Sequence, residues 1–332
     1  MKILITGGCG FVGHHVVEHF LKKTNWKICI LDKLTYASHR FDRLRDIDAY
    51  DDKRVQVFAT DFSKPIPVGI AEEIAIDSGV QYILHLGAET HVDNSITDPE
   101  SFVMANVVGT LHMLNFARNV PDLRAFIYFS TDEVFGPAPV DTEYKEWDRY
   151  NCTNPYSATK AGGEELTLAF MNTYGIPGFI THCMNIFGER QHAEKFIPMC
   201  IRKIQNGEKV TIHADHERKN SGSRFYIHAR NVANAIHFLL DKFDQREKYN
   251  IVGEREISNL SLARMIAAIM GKNLNYEMVD FHSSRPGHDL RYALDGYKMA
   301  NIGWKIPVTF MKSLEKTVMW ALNNSTWHRE VD

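Results

Sequence analysis

The sequence has few cysteines, no long apolar run and no marked charge imbalance, and each shortage removes a class of protein. Its 332 residues include five cysteines, Cys9, Cys29, Cys152, Cys183 and Cys200, widely spread and never in a C-x-x-C pair. An odd, scattered set reads as reduced, mostly buried thiols rather than a disulfide framework. No stretch approaches the ~18 to 20 consecutive apolar residues that a membrane-spanning helix needs. The opening MKILITGG is apolar for too few positions to form a secretory signal. A soluble, cytoplasmic protein without a membrane partner is expected. The formal net charge is -3, so composition offers no basic face to a nucleic-acid backbone. Sixteen histidines raise the question of metal. The closest spacings, His14 with His15 and His213 with His216, are joined by no Cys or carboxylate set at zinc-site spacing, and no metal site is expected.

What is present is an ordinary globular composition, 44% hydrophobic and 24% charged, enough to bury a large core. The first third alternates apolar runs (MKILIT, WKICIL, VQVFATD, VQYILHLGA) with polar or helical stretches, the pattern of βαβ units in a parallel sheet. Helices are expected over 101–119, after the Asp98-Pro99 start signal, and over 156–174, with RAFIYFS and PGFITHCMN as strands. Beyond about 186 the alternation weakens. RQHAEKFIPMCIRKIQNG reads as a helix, KVTIHA as a strand, DHERKNSGS as a charged loop, NVANAIHFLLDKF and SLARMIAAIMG as helices, and KYNIVG as a strand. The expected fold is α/β, a doubly wound parallel sheet with a smaller mixed α/β domain. Residues 1–185 would form the cofactor-binding domain, completed by about 226–252, and 186–332 would mainly bind substrate.

TGGCGFVG supplies Gly7, Gly10 and Gly13 between a strand and a helix, with Asp32 closing the second strand nineteen residues past Gly13. Small residues are needed there for three reasons. The chain must turn tightly, its N–H groups must approach a pyrophosphate, and the helix must pack on the sheet. A carboxylate at Asp32 can accept from both ribose hydroxyls and would repel a 2′-phosphate, which favours NAD over NADP. Asp61 and Phe62 follow the third strand, where an acid can reach an adenine amino group, although an ordinary loop would look the same. LHLGAETHVD ends the fourth strand in Gly87 and Ala88, small enough for a flat cofactor to lie against backbone.

FSTDEVFG, residues 129–136, sets Ser130, Thr131, Asp132 and Glu133 directly after an apolar strand. Alone it is compatible with a polar turn facing water. Downstream, Tyr156 and Lys160 stand four apart on an expected helix and therefore on one face. A lysine at that spacing lowers a phenol pKa by stabilising phenolate, making Tyr156 a candidate base near neutral pH.

Together, the glycine set, Tyr156-x-x-x-Lys160 and the strand-end Ser130-Thr131 resemble the extended short-chain dehydrogenase/reductase superfamily of nucleotide-sugar enzymes. More narrowly, DKLTYAS, THVDNSI, STDEVFG, NPYSATKAGGE, GERQHAEKFIP and RPGHDLRYALD resemble dTDP-glucose 4,6-dehydratases or their UDP-glucose relatives. The likeness runs in order from residue 1 to about 295. It implies oxidation of a sugar at C4 with NAD, loss of water across C5 and C6, and hydride return to C6. Glu133 would be the base for the C5 proton and Asp132 the acid for the C6 hydroxyl. Thr131 would hydrogen-bond the C4 oxygen, whose proton Tyr156 takes beside Lys160.

The likeness extends the cofactor set to Phe11, Val12, Lys33, Thr35 and Leu86. Substrate contacts would come from His91, Ser130, Asn185, Glu194, Lys195, Arg224, Arg285 and His288, the arginines holding a nucleotide diphosphate. It also implies a homodimer through a four-helix bundle formed by the two long helices and their copies. Departures lie in HADHERKNSGSR, which is longer than expected and bears on base and sugar specificity, and in YASHRFDRL. Phe135 stands for a usual tyrosine and Thr90 for a common serine. A C4 epimerase or glucuronate decarboxylase would share the Tyr-Lys and glycine parts and is expected to lack the acid pair. A non-catalytic NAD-binding protein should have lost at least one of Thr131, Asp132, Glu133, Tyr156 and Lys160.

Overall fold

Short strands of buried aliphatic residues assemble into one parallel sheet of seven, in the order β11-β6-β5-β4-β1-β2-β3. These strands are β1 (Lys2–Thr6), β2 (Lys27–Asp32), β3 (Val55–Ala59), β4 (Tyr82–His85), β5 (Ala125–Thr131), β6 (Gly178–Cys183) and β11 (Lys248–Ile251). The structure is a computed structural model and describes residues 1–35, 38–77, 79–280 and 290–328. Every residue of β1 is buried, as a parallel strand covered on both faces requires. The two-residue period of a strand splits the core. Ile3, Ile5, Ile28 and Ile30 pack with Val16, Val17, Phe20, Val232 and Ile236 on one face. Leu4, Leu31 and Ile83 pack with Met113, Leu114 and Phe116 on the other.

Strand order reverses between β1 and β4, which opens a crevice at the carboxyl ends of the strands. Thr6 sits beside His85 in the register of that pair. Further along the chain, β7 (Ile186–Phe187) pairs with β10 (Ile227–His228), β8 (Val210–Ala214) with β13 (Tyr276–Asp280), and β9 (Ser223–Phe225) with β12 (Glu256–Ser258). A separate apolar cluster joins Ile197, Ile201 and Ile204 to Ile212, Leu262 and Leu314.

The long helix Pro155–Tyr174 starts on a reciprocal cap. The Asn154 side chain accepts from the Ser157 N–H, and proline occupies the first turn, where its missing N–H costs nothing. It ends on Gly175, whose φ of +69° favours glycine. The helix expected over 101–119 begins earlier, at Pro99 under an Asp98 cap, and a widened π turn, Met104–Val108, interrupts it before Gly109–Ala117. At that turn Asn106 accepts from the Glu89 N–H at 2.9 Å and donates to the Glu89 carbonyl and to Thr159, both at 3.0 Å.

The helix expected from residue 190 instead starts at Phe196. Tertiary contacts hold the preceding segment out of helical geometry. Arg190 adopts a φ of +65° and its guanidinium pairs with Asp46. Its carbonyl accepts from Arg43 at 3.0 Å, and Gln191 donates to the Ile186 carbonyl at 2.9 Å. All five cysteines are free thiols, with Cys152 alone less than fully buried. Among the described residues no helix is long and apolar enough to cross a membrane.

Helix Pro155–Tyr174 lies so close to the sheet that a Cβ on Gly163 would stand 2.4 Å from the Tyr128 hydroxyl and 2.6 Å from the Asn106 carbonyl. Gly163→Ala is expected to destabilise the protein by about 1–3 kcal/mol, measured as a lower urea midpoint with an unchanged slope.

Candidate active site

The glycine loop forms the first part of the site. Gly7 adopts a φ of +69°, and a Cβ on Gly13 would lie 2.1 Å from the Gly7 carbonyl oxygen. The turn can therefore close against the helix Phe11–Lys23 only with glycine at these positions. Asp32, at the end of β2, accepts the Cys9 N–H at 2.9 Å and the Leu34 N–H at 2.8 Å. Burial raises its pKa, against the pull of those two backbone donors. Around this turn the structure gathers Gly7, Gly10, Phe11, Val12, Gly13, Asp32, Lys33, Thr35, Asp61, Phe62, Leu86 and Ala88 in one hollow. Lys33 lies 3.4 Å from Asp61. The same hollow takes in Ser38, Arg43, Gln191 and His192, which the sequence reading missed. Arg43 reaches it from a distant helical turn and Gln191 from the loop mistaken for helix, so neither carried a local signal.

The octet forms the second part. β5 ends at Thr131, whose hydroxyl accepts the Glu133 N–H at 3.3 Å and so caps the 3₁₀ turn Asp132–Phe135. The Thr131 hydroxyl also donates to Asp132 at 3.0 Å, and Asn154 donates to Glu133 at 3.2 Å. The two neighbouring carboxyls therefore sit in different surroundings. Asp132 is buried and Glu133 only half-buried. Burial, with the Glu133 charge adding to it, pushes the Asp132 carboxyl up to about 7, against the nearby Arg224 charge.

Tyr156 and Lys160 face the same hollow as Ser130, Thr131, Asp132 and Glu133. Lys160 donates to the Phe129 carbonyl at 2.7 Å and sits 4.4 Å over the Tyr128 ring. Burial pushes it down to about 7. The expectation that Lys160 lowers the Tyr156 phenol is not met in this arrangement. Burial, and next the Glu133 charge, raise the phenol, while a hydrogen bond with Thr131 acts the other way.

The third part is a polar hollow that shares Glu133, Asn185 and Lys195 with the second and is lined by His91, Glu194 and Arg224. Arg224 donates to the Ser223 and Leu290 carbonyls at 2.7 and 2.6 Å and lies 4.6 Å over the Tyr292 ring. Glu194 stands 3.5 Å from His91 and 3.8 Å from Lys195. Thr90 and Lys195 border all three hollows, which form one continuous cleft. His213, Tyr226 and Asn259 also line the third part without having been singled out as site residues. Arg285 and His288 lie outside the described residues.

The cleft is built for a ligand. The Ser130 hydroxyl, one Asp132 carboxyl oxygen and the Asn185 amide oxygen are buried and have no hydrogen-bond partner among the described residues. Buried polar atoms of this kind are costly unless something satisfies them. A glycine turn at a helix N-terminus, an acid at the end of β2 and a crevice at the strand-order switch fit a dinucleotide.

Comparison with known proteins agrees with this geometry. The chain matches the sequence model of the family described as GDP-mannose 4,6 dehydratase over residues 4–317. It is 35% identical to a dTDP-glucose 4,6-dehydratase of Salmonella typhimurium, over 100% of this chain and 95% of that one. It is 34% identical to a trifunctional UDP-glucose 4,6-dehydratase of Arabidopsis thaliana, over 99% of this chain and 48% of that longer protein. Among solved structures, a dTDP-glucose 4,6-dehydratase from Streptomyces venezuelae with NAD and TYD bound superposes with a TM-score of 0.87. It is 31% identical, over 98% of each chain.

Asp132 gives the site a measurable signature. A carboxyl whose folded pKa is raised to about 7 favours the fold while protonated and opposes it once pH climbs past the ordinary aspartate range towards 7. Asp132→Asn should therefore gain stability relative to wild type on going from pH 4.5 to pH 8, by on the order of 1–3 kcal/mol. Paired urea titrations at the two pH values measure this, and an equal difference at both would remove the assigned shift.

Proposed function

The chain belongs to the GDP-mannose 4,6-dehydratase family, and from that premise we propose that it is an NAD-dependent nucleotide-hexose 4,6-dehydratase. Its product is the 4-keto-6-deoxy sugar, and dTDP-glucose is the first substrate to test, with UDP-glucose second. The observation that carries the reading is the Asp132–Glu133 pair, adjacent in sequence and divided by environment into a buried acid and a half-buried base.

Gly7, Gly10, Phe11, Val12 and Gly13 would seat the cofactor pyrophosphate and Asp32 its ribose, with Lys33, Thr35, Asp61, Phe62, Leu86 and Ala88 around the adenosine and nicotinamide. When bound, NAD supplies the acceptor for hydride from sugar C4 and the donor that returns it to C6. Tyr156, as phenolate, takes the proton of the C4 hydroxyl while Thr131 hydrogen-bonds that oxygen. The Lys160 cation offsets the phenolate charge. The resulting C4 ketone acidifies C5–H. Glu133 takes that proton as the C5–C6 double bond forms and the C6–O bond breaks, and Asp132 gives its proton to the departing hydroxyl, releasing water. Glu133 then returns a proton to C5 when hydride reaches C6.

His91, Ser130, Asn185, Glu194, Lys195 and Arg224 would hold the nucleotide diphosphate and the sugar, with a guanidinium suited to two phosphate oxygens at once. Residues 1–185, with 226–252, serve the cofactor in this reading, and the remainder mainly serve the nucleotide sugar. The exposed Val103 and Met104, on the helical run after Pro99, support pairing with a second copy of the chain. Free thiols throughout support a reducing, cytoplasmic setting.

The deciding experiment incubates the protein separately with dTDP-glucose, UDP-glucose, GDP-mannose, CDP-glucose and UDP-N-acetylglucosamine and reads products by mass spectrometry. Loss of one water from a single nucleotide sugar is expected. No mass change with any of them, with NAD shown to be bound, would overturn the reading. Two variants separate the steps. Tyr156→Phe should block reduction of bound NAD by the sugar. Glu133→Gln should allow that reduction yet lose water at least ~100-fold more slowly, within the range that general base catalysis contributes.

A further inference from the structure

Helix Pro155–Tyr174 carries one buried carboxylate that the reaction above leaves unused. Tyr156, Lys160 and Glu164 recur at four-residue spacing and so form one ridge on the face turned to the sheet. Glu164 is fully buried. Its carboxylate meets Lys248 of β11 at 2.9 Å and His182 of β6 at 3.1 and 3.2 Å. It also accepts from the Tyr150 hydroxyl. Lys248 donates to that same hydroxyl at 2.6 Å and has the more distant Glu165 at 4.0 Å. His182 is fixed from its other side by Asn250 at 3.0 Å, and Phe135 packs edge-on against its ring at 4.8 Å.

A buried ion cluster of this kind is weak support for stability, because a well-packed apolar set does as well or better. None of its members lines the reaction hollow. The member nearest the chemistry is Glu164, one helical turn from Lys160. Lys160 itself is held by the Phe129 carbonyl and the Tyr128 ring. The ionisable groups beside it are Glu164 on its own helix, Tyr128 on β5 and His85 on β4, and it shares the reaction hollow with Tyr156, Asp132, Glu133 and Cys183.

We infer that Glu164 is a positioning residue that keeps Lys160 a cation in the reaction hollow, and that Lys248 sets the strength of this effect by partly neutralising Glu164. The arrangement alternates in sign along one path, from ammonium at Lys160 to carboxylate at Glu164 and ammonium at Lys248. Burial drives Lys160 towards the neutral amine, and the Glu164 charge opposes it. Glu164 can exert that influence because it stays ionised. Burial pushes its carboxyl up, but His182, Lys248 and Tyr150 outweigh burial and hold it at about 2. A neutral Lys160 would remove the cation that the proposed reaction places beside the Tyr156 phenolate once it forms.

The charge relation stands on the apo protein, and its bearing on catalysis rests on the reaction proposed above. The test follows the ε-carbon of ¹³C-labelled lysine by NMR through a pH titration, with the Lys160 signal assigned by its loss in Lys160→Met. In the wild type Lys160 should titrate near 7. Glu164→Gln should lower that midpoint by about 1–2 pH units, the size expected for a unit charge one turn away. Lys248→Met should raise it, because the carboxylate then acts uncompensated. Opposite signs from two members of one cluster are not what loosened packing produces.

An unmoved Lys160 midpoint, or a shift of the same sign in both variants, overturns the inference. Should Glu164→Gln fail to fold with Lys248 left unpaired, Lys248→Met still decides the sign, and Glu164→Gln combined with Lys248→Met should titrate below wild type, because the nearer of the two charges lost is the carboxylate. The alkaline limb of sugar-driven NAD reduction should follow the Lys160 midpoint, down in Glu164→Gln and up in Lys248→Met. A limb that stays put while the midpoint moves overturns the positioning role. Absence of water loss from every nucleotide sugar in the wild type, with the two midpoints moving as expected, would instead overturn the reaction and leave the charge relation standing.

Discussion

The chemistry of this protein depends on how closely helix Pro155–Tyr174 lies on β5. Gly163 has no side chain, so the helix backbone comes against the Tyr128 ring, and the Tyr128 hydroxyl donates to the Lys160 carbonyl at 3.0 Å. That contact sets the helix bearing Tyr156 and Lys160 against β5, where both side chains are buried. Dehydration then acts on each group according to the sign of its charged form. It lowers Lys160, raises Tyr156 and raises Asp132. Burial at the end of β5 thus accompanies a readily neutralised ammonium, a phenol that needs help to ionise, and a carboxyl that holds its proton near neutral pH.

A second constraint ties the cofactor side to the substrate side. The segment Gly188–Lys195 borders both, and buried polar contacts fix it rather than regular structure. His15 bonds the Glu189 carbonyl at 3.1 Å, while the Glu189 carboxylate takes His228 at 3.1 Å and Arg230 at 2.8 Å. Burial pushes the Glu189 carboxyl up, yet those partners outweigh it and hold it below the usual range. Because His15 lies on the helix that follows the glycine loop and His228 on β10, these contacts join the loop's helix, the segment and β10. Lys195 at the end of the segment is then presented to all three parts of the cleft from a fixed base.

Legibility in the sequence followed the range of the interactions involved. The glycine turn, Asp32 and the Tyr156–Lys160 spacing were readable because strand–turn–helix geometry and helical periodicity are local. The octet was readable as a strand end but its chemistry was not, since the contrast between Asp132 and Glu133 comes from depth of burial, their mutual charge and the Asn154 contact to Glu133. Resemblance to nucleotide-sugar enzymes supplied the roles that spacing could not. The helix read from residue 190 came from apolar spacing around Phe196–Asn206 extended backwards, where Asp46 and Arg43, some 145 residues away in sequence, decide the backbone. The partners of Glu164 come from β6, β11 and the loop at Tyr150, and no window of the sequence holds them together.

The two carboxyls of the octet show why elimination needs a scaffold and not only the right residues. In water, neighbouring aspartate and glutamate would both be ionised at neutral pH, and neither could protonate a leaving hydroxyl. Separation of their roles requires that one be dry and the other reach polar donors. Thr131 caps the turn and faces Asp132 inward, while Asn154, itself the cap of helix Pro155–Tyr174, holds Glu133 towards the cleft. The residue that starts the helix bearing Tyr156 and Lys160 therefore also holds Glu133, the base of the proposed reaction. In the proposed reaction, oxidation and elimination would thus share a single structural origin, and a shift of that helix would disturb both steps together.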